Sequence, residues 1–317
     1  MISASYAKGM RAVYSISSMI RIAGTLFAGL LGLAFGSFLN VCLSRWPEGE
    51  SIVHPRSHCR SCGRTLAWWE NVPLVSWLAL GGRCRSCGTW ISWRFPVVEL
   101  SVAALWAHQF WAASLPLTRP GFDFGSQDAL FDYIELEFAI GIMALCWALI
   151  GLAVLDAEHL WLPDWITLPG MVLGIIFHGA IIGQSEWWFL VNPWPGAWRA
   201  AGGRLLAAAA AAGLILLIRW IYWLIRRREG VGLGDAKLMA MLAAWLGLPG
   251  ALLSFGLGVV LGAVAALVVL FLPSTRNNNQ SWAHIKLPLG TFLCVGGIVS
   301  SLWGEQIIHA YLRWAGF

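Results

Sequence analysis

Long apolar segments, separated by short polar stretches, dominate the pattern of hydrophobic and polar positions along this chain. A helix that crosses the hydrocarbon core of a bilayer needs about 20 predominantly apolar residues, and eight segments are candidates by this measure. The sixth is short and contains Lys237, and Pro249-Gly250 separates it from the seventh as a helix-breaking turn would. The predicted spans are residues 22–43, 95–117, 138–155, 165–182, 205–225, 236–248, 251–272 and 287–303.

The composition indicates that lipid is the main solvent of the chain. Of its 317 residues, 58% are hydrophobic and only 12% are charged, whereas about 25% are charged in a typical soluble domain. The mean hydropathy is +0.69, and the 21 tryptophans suit a protein with many membrane interfaces. No basic low-complexity tail accompanies the net charge of +5, which argues against a nucleic-acid partner. We therefore predict an all-α polytopic membrane protein with about eight transmembrane helices.

Basic residues distinguish one side of this predicted membrane domain from the other. The polar stretch of residues 44–94 lies between the first two spans, and the cluster Arg226-Arg227-Arg228 follows the fifth. Both fall on the same side when eight spans are counted, and the positive-inside rule makes that side cytoplasmic. The arginines of the first stretch are Arg45, Arg56, Arg60, Arg64, Arg83, Arg85 and Arg94.

Two aspartates stand at predicted span ends, where a carboxylate requires an explanation. A charge at the centre of a span costs about 2.5–3.5 kcal/mol; Asp156 ends the third span and Asp235 opens the sixth, so both are expected at cytoplasmic helix ends. Two facing carboxylates in a low-dielectric site share a proton. One then activates a water while the other polarises the scissile carbonyl or protonates the leaving amine. Gly232 and Gly234 would let the backbone approach substrate or a facing helix, and Lys237 is placed to tune the charge of Asp235. The pattern predicts an aspartyl peptidase.

Helix capping is the structural alternative for some of these carboxylates. Aspartate is a good N-cap, and Asp235 and Asp164 both stand where a predicted helix begins. Asp156 is different, because a carboxylate at the C-terminus of its own helix opposes the macrodipole. A solvated span edge remains its alternative.

Four of the seven cysteines form two Cys-x-x-Cys pairs, Cys59 with Cys62 and Cys84 with Cys87. The interval between the pairs is just beyond the roughly 15–20 residues usual in structural zinc sites. A four-cysteine site closes around zinc and leaves no open position, so its role is structural. Two disulfides or free thiols are the alternatives, and cytoplasmic placement argues against disulfides. We predict a cytoplasmic zinc-knuckle loop.

The segments around these residues resemble those of the bacterial type IV prepilin peptidases, which are GxGD-type membrane aspartyl proteases. By motif position, the resemblance puts the catalytic aspartates at Asp156 and Asp235, with Glu158, Asp164, Gly232, Gly234 and Lys237 as supporting residues. The matching segments are residues 155–164 (LDAEHLWLPD), 232–237 (GLGDAK), 36–41 (GSFLNV), 70–77 (ENVPLVSW), 91–100 (ISWRFPVVEL) and 287–290 (LPLG).

The resemblance implies a bifunctional enzyme at the cytoplasmic face of the bacterial inner membrane. Such an enzyme cuts the leader from type IV prepilins or type II secretion pseudopilins, and then N-methylates the new N-terminal residue with S-adenosylmethionine. The cysteine loop is similar to the insertion of bifunctional members, and Glu70 and Glu99 are candidates for the methyl-donor site by resemblance alone. The implied domains are residues 1–43 (tail and first helix), 44–94 (zinc loop) and 95–317 (peptidase core).

The chain also departs from the family. The last segment usually reads Pro-Phe-Gly-Pro, whereas this chain has Pro288-Leu289-Gly290-Thr291; the change removes no chemical group needed for cleavage.

Two other functions remain open. One is a peptidase without methyl transfer. The other is a non-enzymatic membrane assembly or transport component, for which mid-span binding groups would be expected; the candidates are His108, His178 and Arg219.

Overall fold

The structure is a computed structural model that describes residues 2–115, 127–188, 193–228, 230–271 and 288–316. Within these ranges, side chains are described for residues 18–115, 134–181, 196–228, 230–269, 271 and 288–316. The described residues form helices and no strand, and two isolated β-bridges lie in the cysteine loop. The α-helices are α1 (Ile2–Arg45), α2 (Val75–Ala79), α3 (Arg94–Ala113), α4 (Gln127–His159), α5 (Asp164–Trp188), α6 (Pro193–Arg226), α7 (Leu233–Phe271) and α8 (Leu289–Trp314).

The N-terminal unit, Met1–Trp147, is organised by the packing of α1 along α3. The two helices cross at glycines: a Cβ on Gly32 would lie 2.6 Å from the Cα of Ala103, and one on Gly36 would lie 2.7 Å from the Cα of Glu99. Small residues at such a crossing let the two backbones touch, which is the usual basis of helix association in lipid. The end of α1 is therefore held at a fixed position against the start of α3.

The C-terminal unit, Ala148–Phe317, is built around α7, which packs against α5, α6 and α8. The first half of α7 is buried on all sides, as the near-zero exposure of Leu238, Met239, Leu242 and Ala243 shows. A helix that is apolar around its whole circumference belongs inside a bundle. Gly247 then interrupts the helix with φ 73° and ψ 174°, a conformation that glycine adopts without steric cost.

The predicted fold class is confirmed, but the count of eight spans is not. By length and composition, six of the described helices can cross a membrane: α1, α4, α5, α6, α7 and α8. The 20-residue α3 carries Arg94 and Glu99 and is not among them. The predicted sixth and seventh spans are two halves of α7, with the break at Gly247 instead of Pro249-Gly250. The predicted span ends at 117, 272 and 287 lie outside the described residues.

Candidate active site

Asp156 lies in the last turn of α4 and is 6% exposed. Its Oδ2 accepts a hydrogen bond from the backbone N–H of Thr291 at 2.7 Å, in the first turn of α8. The Thr291 hydroxyl lies 3.2 Å from the same oxygen and 3.0 Å from the carbonyl of Ala153. The partner of this carboxylate is thus the N-terminus of another helix, whose unpaired N–H groups and dipole favour negative charge.

Asp235 lies in the first turn of α7 and is 8% exposed. Its Oδ2 accepts the N–H of Gly232 at 3.1 Å. Asp235 is therefore not the N-cap residue, because the helix begins at Leu233. Its carboxylate instead binds the N–H of Gly232, the residue before the helix, as the acidic member of a capping box does. Capping occupies one oxygen of Asp235 and does not account for its burial.

The two aspartates line one cavity of about 540 Å³ in the C-terminal unit. Its walls come from the end of α4, the connection from α4 to α5, and the start of α7. The lining residues are Asp156, Leu160, Trp161, Leu162, Pro163, Asp164, Trp165, Gly232, Gly234, Asp235 and Lys237.

Leu162 contacts two glycines: Gly234, which lines this cavity, and Gly290, which lies beside Asp156. A Cβ on Gly234 would lie 3.1 Å from the Cβ of Leu162, and one on Gly290 would lie 2.8 Å from the Cδ1 of Leu162 and 2.9 Å from Asp156 Oδ2. Neighbouring side chains therefore occupy the space that a side chain at Gly234 or Gly290 would need. Leu162, Gly290 and Thr291 had no role in the sequence-based site, although each stands inside or directly after a quoted segment.

The other predicted supporting residues divide into two groups. Lys237 does not bind Asp235; its Nζ lies 2.6 Å from Asp164 Oδ1, in an ion pair that is partly exposed. Asp164 is thus engaged by a lysine at the cavity rim. Glu158 is exposed, lies 3.9 Å from His159, and is not among the residues that line the cavity.

The four paired cysteines converge in the N-terminal unit. Their sulfur atoms all lie within 4.8 Å of one another, and Cys59 Sγ is 3.8 Å from Cys87 Sγ. Four thiolates about 2.3 Å from a zinc ion in a tetrahedron would be about 3.8 Å apart, so the donor set fits the metal. None of the seven cysteines, all of which lie within the described residues, forms a disulfide.

Each knuckle makes the same local contacts. The N–H of Gly63 donates to the carbonyl of Cys59 at 2.8 Å, and that of Gly88 donates to the carbonyl of Cys84 at 2.9 Å. Hydrogen bonds from the side chain and backbone of Thr89 lower the pKa of Cys87 to about 6. Thiolate is the form that binds metal, so the loop favours the ligand form of this cysteine.

A second cavity, of about 580 Å³, lies in the N-terminal unit, beside the cysteines, the end of α1 and the start of α3. Glu70 and Glu99 both line it and are 6% and 7% exposed. The N–H of Ala67, at 2.8 Å, and then the guanidinium of Arg64, at 2.5 Å, hold the pKa of Glu70 below its usual value. The sequence named these two glutamates separately, and the structure brings them to one cavity.

The groups considered for transport are engaged in local structure. His178 lies with its Nδ1 2.9 Å from the carbonyl of Gly174, and Arg219 donates to the carbonyl of Val231 at 2.9 Å. Neither residue lines either cavity described above. His108, in α3, lines neither of them either.

Comparison with known proteins relates this arrangement to a family. Residues 143–267 match the model of the type IV leader peptidase family, and residues 30–113 match that of the bacterial peptidase A24 N-terminal domain. A prepilin leader peptidase/N-methyltransferase from Pseudomonas aeruginosa is 32% identical over 91% of this chain and 93% of its own length. The chain belongs to the type IV leader peptidase family.

Further members of the family extend the same relationship. A protein of the same name from Myxococcus xanthus is 37% identical over 86% of this chain and 73% of its own length, and one from Pseudomonas putida is 31% identical over 92% and 94%. No solved structure matches the chain.

The leader peptidase match includes both Asp156 and Asp235, whereas Thr291 lies beyond it. The N-terminal match includes the cysteine loop and α3.

Proposed function

We propose that this chain is a membrane aspartic endopeptidase that removes the leader from type IV prepilins or type II secretion pseudopilins, with Asp156 and Asp235 as the catalytic pair. The observation that carries the proposal is the arrival of two buried carboxylates, from different helices, at one cavity. The name shared by the relatives supports leader peptides as the substrate class.

The hydrogen bonds suggest a role for each aspartate. Asp156 Oδ2 accepts the N–H of Thr291 at an α-helix N-terminus, which stabilises its carboxylate form; we assign it as the base that removes a proton from the attacking water. Asp235 then carries the proton that the pair shares. It donates this proton to the scissile carbonyl as the tetrahedral intermediate forms. When the C–N bond breaks, the amine leaves with the proton that Asp156 took, and a hydroxyl of the intermediate returns a proton to Asp235.

The second proposed activity is N-methylation of the new N-terminus in the cavity of the N-terminal unit. Its volume of about 580 Å³ lies in the range of about 300–1,000 Å³ that is usual for small-molecule sites. Trp77 and Trp90 contribute aromatic rings to its lining, and Glu70 and Glu99 contribute buried carboxyl groups. These residues fit S-adenosylmethionine, a cation with an aromatic base that supplies an electrophilic methyl group when bound.

The remaining assignments follow the same proposal. A zinc ion held by Cys59, Cys62, Cys84 and Cys87 would fix the loop and take no part in catalysis. The arginines of residues 44–94 favour a cytoplasmic position for that loop in the bacterial inner membrane, in a topology that has α3 as a span in addition to the six helices named above. By function we divide the chain into residues 1–43, 44–94 and 95–317. The boundary between the two compact units lies elsewhere in the sequence, inside α4 after Trp147.

The test is leader cleavage of a model prepilin by the purified full-length chain in detergent, followed by mass spectrometry of the product. We expect Asp156→Asn and Asp235→Asn each to abolish cleavage, while the exposed control Glu158→Gln cuts like the wild type. A product heavier by one methyl group, formed only with S-adenosylmethionine, would establish the second activity. Cleavage by either aspartate variant at the wild-type rate would refute the aspartyl mechanism.

A further inference from the structure

Asn40, in the wall of the cavity of the N-terminal unit, has a buried acceptor without a partner. The residue lies near the end of α1, is 2% exposed and lines that cavity. Its Nδ2 donates to the carbonyl of Phe95 at 2.9 Å, which fixes the orientation of the amide, and its Oδ1 accepts no hydrogen bond. A buried acceptor without a partner is destabilising, so a ligand that brought a donor to this oxygen would gain binding free energy.

Glu99 is the neighbouring carboxyl group; burial disfavours its charged form, and the groups that contact it are neutral, so a cation beside it would stabilise its carboxylate form. Its Oε2 accepts the N–H of Leu74 at 2.7 Å, and the side chains of Ser37 and Asn40 are also close to it. Glu99 is in none of the ion pairs of the described residues. Glu70 differs, because Arg64 neutralises it.

The three arginines that line the cavity have other partners, and Arg85 lies over the ring of Trp69, 5.0 Å from its centroid. Arg45 donates to the carbonyls of Ser51 and Pro55 at 2.7 and 2.6 Å. Arg60 pairs with Glu48 at 2.6 Å. A cation that balances Glu99 would therefore have to come with a ligand.

The backbone under these two residues is fixed. The Cα of Glu99 lies against Gly36, where any Cβ would approach it to 2.7 Å, and Asn40 stands one helical turn farther along α1. Both residues thus stand on backbone that is fixed by a close contact of the α1–α3 crossing. A rigid pair of acceptors is a pre-organised site, which lowers the entropic cost of binding.

We propose that Asn40 and Glu99 bind a primary ammonium group inside this cavity. An ammonium offers three N–H donors and one positive charge, which matches one amide oxygen and one carboxylate that lacks a cation. Two molecules of the proposed methyl transfer carry this group: the amino-acid end of the methyl donor, and the newly exposed N-terminus of the peptide. The inference rests on that proposed activity, but it concerns binding and can be measured without turnover.

The first arm of the test measures binding of S-adenosylhomocysteine and of its analogue without the amino group, by calorimetry on the full-length chain in detergent. If the donor end supplies the ammonium, the wild type binds the amino compound about 10-fold more tightly, the value of one hydrogen bond to a charged group. Glu99→Gln then removes this preference. Glutamine keeps an oxygen for the N–H of Leu74, and retained zinc content shows that the unit is folded.

The second arm uses a processed pilin peptide with a free or an acetylated N-terminus. If the preference for the free amine depends on Glu99 in this arm, the peptide is the source of the ammonium. Glu137→Gln is the matched control, since Glu137 is exposed in the same unit and does not line the cavity. Asn40→Leu should weaken the same ligand that Glu99→Gln weakens.

The outcomes separate this inference from the function on which it rests. If neither arm shows a preference for an ammonium that Glu99→Gln removes, the inference is wrong, even when the wild type methylates its product. If the wild type forms no methylated product but one arm shows a Glu99-dependent preference, the ammonium site stands and the proposed methyl transfer fails.

Discussion

The two cavities differ less in size than in what holds their carboxylates in place. In the cavity of the C-terminal unit, about 540 Å³, backbone N–H groups hold both carboxylates: that of Thr291, in the first turn of α8, binds Asp156, and that of Gly232, just before α7, binds Asp235. The cavity of the N-terminal unit, about 580 Å³, is bounded partly by the cysteine loop. The first site thus depends on helix packing alone, whereas the second also depends on four thiols. We therefore expect the two activities to respond differently to substitution.

The largest effect is expected from filling the space beside Asp156. In Gly290→Val, the new side chain would meet Asp156 Oδ2 and the Cδ1 of Leu162 at less than 3 Å. Displacement of a catalytic group by about 1 Å costs about 100-fold in rate, and we expect at least that loss in leader cleavage. The control is Gly256→Val, because no atom lies within 4 Å of a Cβ at that position. Equal cleavage by the two variants would contradict the arrangement.

Removal of one zinc ligand should instead reduce methyl transfer more than leader cleavage. Cys84 is the buried member of the cysteine cluster, and Cys84→Ser should lose zinc, measured by elemental analysis, and reduce methyl transfer by about 10- to 100-fold. Leader cleavage should fall much less. Cys42→Ala is the control, since Cys42 is a buried thiol of the same unit outside the cluster. A Cys84→Ser protein with full zinc content would overturn the metal assignment.

A smaller effect is expected at Thr291. Thr291→Val keeps the shape and the backbone N–H but removes the hydroxyl, which Asp156 shares with the carbonyl of Ala153. We expect kcat/KM for cleavage to fall by about 3- to 10-fold, in proportion to one net hydrogen bond. Thr291→Ser should restore the rate. If serine fails to do so, packing of the methyl group and not the hydroxyl positions Asp156.

The smallest effect should follow loss of the ion pair between Lys237 and Asp164. The pair is partly exposed, with side-chain exposures of 35% and 57%, and exposed pairs contribute about 0–1 kcal/mol. Lys237→Met should change the cleavage rate by less than about 5-fold, with the shift reduced further at high salt. A loss as large as that of Asp235→Asn would instead place the lysine in the chemistry.

The sequence was most informative where the physics is local. The length of the apolar runs predicted the helical membrane fold, and the spacing of Cys59, Cys62, Cys84 and Cys87 predicted their convergence. The position of Asp235 near a helix start was also correct. Its role as the third residue of α7 was not predicted, because Gly232-Leu233-Gly234 permits several starting points for the helix.

Non-local contacts account for what the sequence did not show. Asp156 is bound by Thr291, 135 residues away, and nothing in the local pattern joins them. The break in α7 was expected at Pro249-Gly250 but occurs at Gly247. The reason is that proline is well tolerated in the first turn of a helix, so Pro249 fits just inside the segment that follows the break. Polar residues of α3, among them Glu99, His108 and Gln109, lower its mean hydropathy, and it is not among the described helices apolar enough to span by composition.

The two knuckles of the cysteine loop share the sequence Cys-Arg-Ser-Cys-Gly and the same turn, with Gly63 and Gly88 at φ 71° and 69°. Each half therefore brings only two sulfurs, and neither half closes a tetrahedral site by itself. A metal bound by all four adds free energy to the native loop through mass action, about 2.7 kcal/mol when the free metal is 100 times its dissociation constant. The concentration of free metal therefore sets the stability of the loop that bounds the cavity of the N-terminal unit. It does not enter the stability of the helix ends that hold Asp156 and Asp235.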